Sequence, residues 1–522
     1  MSTTNPNTFR IGISMAGAIS AGAYTAGTID YLLEALEHWQ KAKELNIPGT
    51  PRHYVVKEVI DGASAGGMTA VMTAAALQKM FPHINQGNYN STETTKNPLF
   101  DSWVNLTEDP KNDMMSQMLN TDDILNEPDS NPDKEVRSVF NSLFIEKIAR
   151  RTIGSIIADP ATKREYIAGD LELFTTITNL RGFDYELQFI TATGIREDRM
   201  KMHKDIVHFQ LKPNGRYDND GRIPFNFGTA EGLNKDLLID AAIATGAFPV
   251  GLAPRVVVRD AKYINDNPLL KITNSKIEIV NPLTVYNTVC LDVGVIINDT
   301  YELTETILAR RANVKEDDVH TDASRFDSTT LMIDPFPSDN DKPAENYFDL
   351  VALMFAVPQL LTAMRQQLMI KTGLLEKAYS EVDYSKFMIA PIRTKNGITQ
   401  KFSIACGSLG GFGGFFEKRF RVHDYMLGRR NCQRFLQQYF TVPVSAGNPI
   451  IEAGYGGLSV EERKFFIDIC TDKLPIIPDI RIDEGGQKIV CPAEEGEFDY
   501  PSISLKYLLG LEKKIQNRMD VV

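Results

Sequence analysis

Val55-Val56-Lys57-Glu58-Val59-Ile60-Asp61-Gly62-Ala63-Ser64-Ala65-Gly66-Gly67-Met68 is the stretch on which the fold turns. Its first half is rich in β-branched residues, which favour an extended strand. Its second half runs into an Ala/Met-rich segment, Met68 to Met80, with the composition of a helix. Between them stands a serine framed as G-x-S-x-G. At a strand-to-helix junction such a serine is forced into a sharp turn that exposes its hydroxyl, and the glycines are needed because a Cβ there would meet neighbouring backbone. The serine also opens a helix, where free N–H groups and the positive end of the macrodipole favour a developing negative charge. Ser64 is therefore a candidate nucleophile, and Gly62 and Gly66 are the glycines of its turn. An ordinary glycine-rich turn is the alternative, to be decided by whether oxyanion donors and a base exist elsewhere.

Upstream, Phe9 to Met15 reads as a short buried strand, and Ala16-Gly17-Ala18-Ile19-Ser20-Ala21-Gly22 as a loop of small residues leading into a helix from Tyr24 to about Lys43. Backbone N–H groups in that loop are candidate oxyanion donors, although small residues also let a helix pack close to a sheet. Residues 81–135 are polar, dominated by Asn, Asp, Thr and Pro, and punctuated by Trp103, Met114, Met115, Met118 and Leu119. They read as an insertion, either a lid or core filling. A helix is expected from Val136 to Ile157, and strands at Leu171 to Ile177 and Tyr185 to Ala192 around a turn at 179–184. A strand at Ile206 to Leu211 and a helix at Leu237 to Ala247, stopped by Pro249, follow. Thr288 to Leu291 is a short strand ending at Asp292, with a helix at Tyr301 to Arg311 and a strand at Thr330 to Ile333 beyond it. Alternating strands and helices of this kind build an α/β three-layer sandwich, a mostly parallel central sheet flanked by helices. Residues 1–340 are expected to hold it, and 341–522 to form a mixed α/β extension packing on that core. The extension begins with an apolar helical region, Leu350 to Lys377, in which Leu350 to Met369 could line an acyl tunnel or simply be core. Strands near Phe387 to Ile392 and Phe402 to Ala405 follow.

The 522 residues carry a formal net charge of -12, which argues against nucleic acid as a partner. No run of about 18 uninterrupted apolar residues could span a bilayer. Arg10 followed by Ile11 to Ala23 superficially resembles a signal peptide, but glycines and serines interrupt it, and a buried strand with a small-residue turn explains it better. Five scattered cysteines without C-x-x-C spacing give no sign of a disulfide framework or a zinc site. A cytoplasmic location with peripheral membrane contact fits these features; the sequence leaves the oligomeric state open. The run Gly407-Ser408-Leu409-Gly410-Gly411-Phe412-Gly413-Gly414 lacks the G-K-[ST] ending of a phosphate loop, so close packing is the better reading. The basic cluster after it (Lys418, Arg419, Arg421, Arg429, Arg430, Arg434) is either a salt-bridged helix face or a headgroup-binding patch.

A serine nucleophile needs a base. A Ser64, Asp292, His320 or His423 order would suit an α/β-hydrolase triad, but there several strands precede the nucleophile, and here only one strand and one helix come before the strand that carries it. The alternative is a dyad in which Asp292 itself takes the Ser64 proton. An ordinary aspartate is a weak base for a serine, so partial desolvation and strong oxyanion stabilisation must help.

The small-residue loop after the first strand, GASAGG after the second, A-T-G-A-F-P-V at 244–250 and D-V-G-V-I-I-N-D-T-Y-E-L at 292–303 together resemble the patatin-like phospholipases, in particular their larger bacterial members. L-G-G-F-G-G-F-F and R-V-H-D-Y-M-L-G-R-R-N extend the resemblance toward the C-terminus. The resemblance implies a metal-free and cofactor-free Ser64/Asp292 dyad acting on acyl esters of lipids or phospholipids. It further implies oxyanion donors at Gly17, Ala18, Ile19 and Ala65, and Gly294 as a motif glycine. A catalytically impaired lipid-binding or scaffolding protein is the alternative on the same fold. Two departures stand out. The family's G-G-G-x-R-G is Gly17-Ala18-Ile19-Ser20-Ala21-Gly22 here, and its D-G-[GA] is Asp292-Val293-Gly294. If the turn needs positive φ at 293, β-branched Val293 is expected to displace Asp292.

Overall fold

A computed structural model describes residues 7–107, 113–125, 134–192, 194–212, 216, 220–229, 231–270, 284–292, 300–313, 322–336, 386–408, 410–470 and 472–522. The first strand, β1 (Thr8–Met15), passes through a 3-10 turn at Ile19–Ala21 into helix α1 (Gly22–Glu44). Strand β2 (Tyr54–Ala63) follows and feeds α2 (Ala65–Ala76). After a segment of short helices, α3 (Leu143–Thr152) leads to the long strands β3 (Ile167–Thr191) and β4 (Gly194–Leu211) and the short β5 (Ile223–Phe225). Then come α4 (Lys235–Thr245), β6 (Arg255–Asp260), β7 (Val285–Asp292), α5 (Thr300–Ala312), β8 (Ser328–Ile333) and β9 (Lys386–Ile389).

These strands form one sheet in the order β5-β4-β3-β2-β1-β8-β9, with β7 pairing β3 and β6 pairing β7. The β1/β2, β2/β3, β1/β8, β8/β9 and β4/β5 pairs are parallel; β3/β4, β3/β7 and β6/β7 are antiparallel. The central strands alternate in which face they serve. Ile11, Ile13, Ile60 and Leu173 join the large core with α1, α2 and α4, whereas Val59, Phe174 and Ile206 pack with Ile307 and Leu308 of α5. The architecture is thus helix, mostly parallel sheet, helix. Both faces are covered, which is why the inner strands read as near-continuous apolar runs.

Residues beyond the mid-chain are woven into this core. Strand β9 extends the sheet, and helix α6 (Lys418–Gln438) lies against α1. The two helices cross at glycines: a Cβ on Gly27 would lie 1.9 Å from the Tyr425 carbonyl oxygen, and one on Gly428 2.1 Å from that of Tyr24. Buried Arg429 then donates to Asp30 Oδ2 at 2.7 Å, and to Glu34 and Glu495 at 2.6 Å each. His83 bonds Asp30 at 2.8 Å and Glu37 at 3.1 Å; burial works against its charge, yet the two carboxylates hold its pKa at about 9.

Three expected elements differ. The strands at 171–177 and 185–192 are one strand, β3, because Asn179 Oδ1 takes the Arg181 and Gly182 N–H groups and the strand resumes after a register shift. The helix begins at Leu143, not Val136, since Val139 and Phe140 donate to the carbonyls of Val250 and Gly251. Residues 402–405 form no strand, since the N–H groups of Ala405 and Cys406 are taken by the Asp424 carboxylate at 2.8 Å each. The region Leu350 to Lys377 lies outside the described residues. No helix among the described residues is long and apolar enough to cross a membrane.

Candidate active site

Strand β3 serves as the ruler that brings the site together. Ala63, the last residue of β2, is opposite Thr176, and Asp292, the last of β7, is opposite Ile177. Strand β2 runs parallel to β3 and β7 antiparallel, so their C-terminal ends meet head-on at one point. Ser64 follows immediately, at φ 56° and ψ -131°, as an elbow between β2 and α2. A non-glycine residue held there stores roughly 1–3 kcal/mol of backbone strain. The surrounding glycines make the turn possible: a Cβ on Gly62 would lie 2.4 Å from the Gly66 carbonyl carbon, and one on Gly66 2.1 Å from the Met15 carbonyl oxygen.

The Ser64 hydroxyl donates to Asp292 Oδ2 at 2.5 Å. Asp292 is 4% exposed, its N–H donates to Ala247 O at 2.9 Å, and its carbonyl accepts from Thr178 Oγ1 at 3.2 Å. Val293 therefore leaves Asp292 within reach of the serine; Val293 and Gly294 themselves lie outside the described residues. The Ser64 N–H donates to Thr245 Oγ1 at 3.0 Å, and that hydroxyl donates onward to Thr176 O at 2.9 Å. The A-T-G-A-F-P-V stretch thus holds both partners, the serine through Thr245 and the aspartate through Ala247. Motif matching alone had not assigned either residue that task.

The loop at 17–22 lies over the elbow. A Cβ on Gly17 would be 3.0 Å from Ser64 Cβ and 3.6 Å from its Oγ. Ala18 is buried, and Ile19 stands at φ 49°, a left-handed conformation unusual for a β-branched residue. The neighbouring Ser20 explains how this is held. Its hydroxyl donates to Gly411 O at 2.5 Å and accepts the Gly414 N–H at 3.0 Å, while its own N–H also reaches Gly411 O at 3.2 Å. A Cβ on Gly411 would sit 2.9 Å from Ile19 Cδ1. The late glycine run is therefore a brace for the early loop, which is the close-packing reading of that run.

Ser64, Ala65 and Ile19 open on a pocket enclosing about 960 Å³ of non-atom space, solvent at its mouth included. Met68, Met72 and Trp103 line one part, Phe140, Phe144, Ile145 and Ile148 another, and Phe248, Leu252, Phe412 and Phe415 the rest. Among the described residues that line it, Ser64 and Ser102 alone bear a hydroxyl. Of the methionine cluster, Met118 lines this pocket, while Met114 packs in the main core and Met115 in a satellite cluster. The aromatic walls come from segments that no local pattern linked to Ser64.

No described histidine lines this pocket. His423 lies in α6, bonded to Asp424 at 2.7 Å and packed against Tyr500, beside a separate polar cleft; His320 lies outside the described residues. In the basic cluster, Arg421 donates to Val104 O at 3.1 Å, Arg429 is buried among carboxylates, and Arg430 pairs with Glu494 and Glu497. These three arginines form internal ties, as in the salt-bridged reading of the cluster.

Fold and site define the class: an α/β protein with a serine on a strand-to-helix elbow, bonded to a carboxylate at the end of a neighbouring strand. The chain belongs to the same family as the uncharacterized protein y4iI of Sinorhizobium fredii (strain NBRC 101917 / NGR234). The two are 31% identical over 537 aligned positions, covering 91% of this chain and 73% of that protein. No family model matches the chain. The crystal structure of VipD from Legionella pneumophila is similar at 12% identity and a TM-score of 0.19. The match covers 80% of this chain and 66%, just under two thirds, of VipD, and at that score bears on neither fold nor activity.

Proposed function

We propose that the chain is a lipid acyl hydrolase, a serine-dependent carboxylic ester hydrolase of the phospholipase A type. The observation that carries this reading is the 2.5 Å hydrogen bond from Ser64 Oγ to Asp292, with Ser64 lining an apolar pocket. In the first half-reaction Ser64 Oγ attacks the acyl carbonyl carbon as Asp292 takes its proton. The tetrahedral oxyanion is held by backbone N–H groups of the Gly17–Ile19 loop and of Ala65, at the N-terminus of α2. Collapse breaks the ester bond, and the proton on Asp292 passes to the departing alkoxide. In the second half, water attacks the acyl-enzyme, gives its proton to Asp292, and the fatty acid leaves as the proton returns to Ser64.

The pocket supports an acyl chain as the substrate part bound, since each methylene moved from water into such a lining contributes about 0.8 kcal/mol. Met118 and Trp103, from the 81–135 segment, line the pocket and would contact that chain under this reading. The test is a fluorophosphonate probe followed by intact-mass and peptide analysis. A single adduct on Ser64, absent in Ser64→Ala, is expected. A folded protein that takes no adduct, with ester turnover unchanged by Ser64→Ala, would overturn the hydrolase reading and leave the lipid-binding alternative, which the unusual Ile19 backbone in the oxyanion loop favours.

A further inference from the structure

Next to the pocket lies an apolar surface that the dyad does not use. Helix α7 (Leu505–Met519) closes the far end of the chain and docks through one face. Tyr507 donates to Asp113 at 2.6 Å, Leu511 packs with Met115 and Leu119, and Arg518 donates to Val139 O at 2.8 Å and Asp123 at 2.9 Å. That docking cluster includes Phe140, Phe412 and Phe415, which are also walls of the Ser64 pocket. Beside the docked face, Leu505, Leu509, Ile515 and Met519 are exposed, the first two by 70% and 62%. At about 100° per residue these four fall within a sector of roughly 120° that exposed Glu512 and Gln516 share, a stripe apolar apart from those two.

The docked face of α7 leads to the pocket rim. Arg518 ties α7 to Val139, and the Val139 N–H donates to Val250 O at 2.8 Å. Val139 and Val250 are both exposed, while the residues next to them in the chain, Phe140 and Gly251, line the pocket. Val250 is the telling residue. It is β-branched, stands at φ 68°, and is 63% exposed. A valine in that conformation is strained, and so exposed a side chain gains little packing to offset the strain.

We propose that α7 and the Val139/Val250 rim form a lipid-docking surface that sets the pocket mouth against a membrane; this rests on the hydrolase reading and deepens it. Charge agrees with a lipid occupant. Of the basic residues of α7, Arg518 is buried against Asp123 and Lys514 pairs with Asp113 at 3.8 Å, which leaves exposed Lys506 and Lys513 against the single acid Glu512, in a chain whose net charge is -12. Exposed Lys506 and Lys513 flank the stripe at the level of headgroup phosphates, while the acidic bulk of the molecule is repelled from them. An interfacial helix needs no complementary groove, and the docked face of α7 packs on Phe140, Phe412 and Phe415, walls of the pocket that would receive an acyl chain from the bilayer.

The test is flotation of the full chain with phosphatidylcholine vesicles, with and without phosphatidylglycerol, comparing wild type with the triple variant Val250→Asp, Leu509→Glu, Met519→Glu. Wild type is expected to float, more so with the anionic lipid, and the triple variant to lose on the order of a hundredfold in partitioning. None of the three residues lines the pocket, so turnover of a soluble short-chain ester stays within about twofold, while turnover of vesicle phospholipid falls with binding. The uncharged set Val250→Ser, Leu509→Gln, Met519→Gln repeats the measurement if the acidic variant does not fold. Wild type remaining in solution, or both variant sets floating like wild type, overturns the proposal. A dimer that the variants dissociate, with no vesicle binding, assigns the surface to a second copy and also overturns it. Wild type that floats without any ester turnover leaves docking standing and removes the hydrolase reading alone.

Discussion

Replacing Asp292 by asparagine, Asp292→Asn, keeps the shape of the side chain and removes its capacity to take a proton. The backbone at 292 is anchored through its N–H to Ala247 and its carbonyl to Thr178, neither of which involves the carboxylate, so the new amide occupies the same place. Loss of a positioned general base lowers a rate by about 10²–10⁴-fold. Loss of a charge-assisted hydrogen bond at 2.5 Å, roughly twice as strong as a neutral one, removes about another factor of ten. The expected fall in kcat is therefore about 10³–10⁵-fold, or roughly 4–7 kcal/mol at 1.36 kcal/mol per decade. KM should stay within about twofold, because Asp292 is not part of the apolar lining that holds the chain. Steady-state turnover of a p-nitrophenyl ester gives both constants, and the rate of fluorophosphonate labelling gives the same comparison for a single attack. An unchanged kcat, or a loss confined to KM, would refute the assignment of Asp292 as base. Asp292→Glu is not expected to rescue, since an added methylene does not fit a contact already at 2.5 Å.

Gly66→Ala places a Cβ 2.1 Å from the Met15 carbonyl oxygen, a backbone atom that cannot swing aside, so a stability loss of about 3 kcal/mol or more is expected in urea unfolding; a wild-type midpoint would refute it. Gly411→Ala meets Ile19 Cδ1 at 2.9 Å and also sits at φ 95°. Ile19→Ala relieves the contact but not the backbone strain, so a double-mutant cycle should give a coupling of about 1–2 kcal/mol, and additivity within about 0.5 kcal/mol would exclude the contact. Asp61 is fully buried, and burial pushes its carboxyl up to about 8 despite hydrogen bonds from Thr304 and Ser14. The native chain then keeps a proton that the unfolded chain releases near pH 4, so stability falls as pH rises from about 4 through 8. Asp61→Asn should therefore raise the unfolding midpoint at pH 8 relative to wild type and raise it less at pH 5; an equal change at both would show that Asp61 does not titrate in this range.

The elbow was legible because steric need leaves little freedom there: Gly62 and Gly66 each sit where a side chain would strike backbone. Asp292 was legible through its place at the end of a strand, although its partnership with Ser64 depends on β3 register, which no local pattern encodes. The strand ends misread at 179–184 and 402–405 share one cause. Side-chain groups of Asn179 and Asp424 satisfy backbone N–H groups there, so turn-forming residues remain inside a strand and strand-like residues remain outside one. The pocket walls were beyond reach because Phe140, Phe144, Phe412 and Phe415 acquire their role only from long-range packing. Ile19 marks the clearest limit: the sequence shows a departure from glycine, and only the ties of Ser20 to Gly411 and Gly414 show what keeps an isoleucine in a left-handed turn.

The brace between the loop at 17–22 and the glycine run has a consequence for synthesis. Ser20 and Gly414 are 394 residues apart, and Asp30 and Arg429 are 399 apart. At roughly 5–20 residues per second, the start of the chain waits about 20–80 s on the ribosome for these partners. During that interval the loop above Ser64 has nothing to hold Ile19 in place. On the proposed hydrolase reading, a nascent chain that stops short of Gly411 and Gly414 would thus carry Ser64 without the brace of its oxyanion loop.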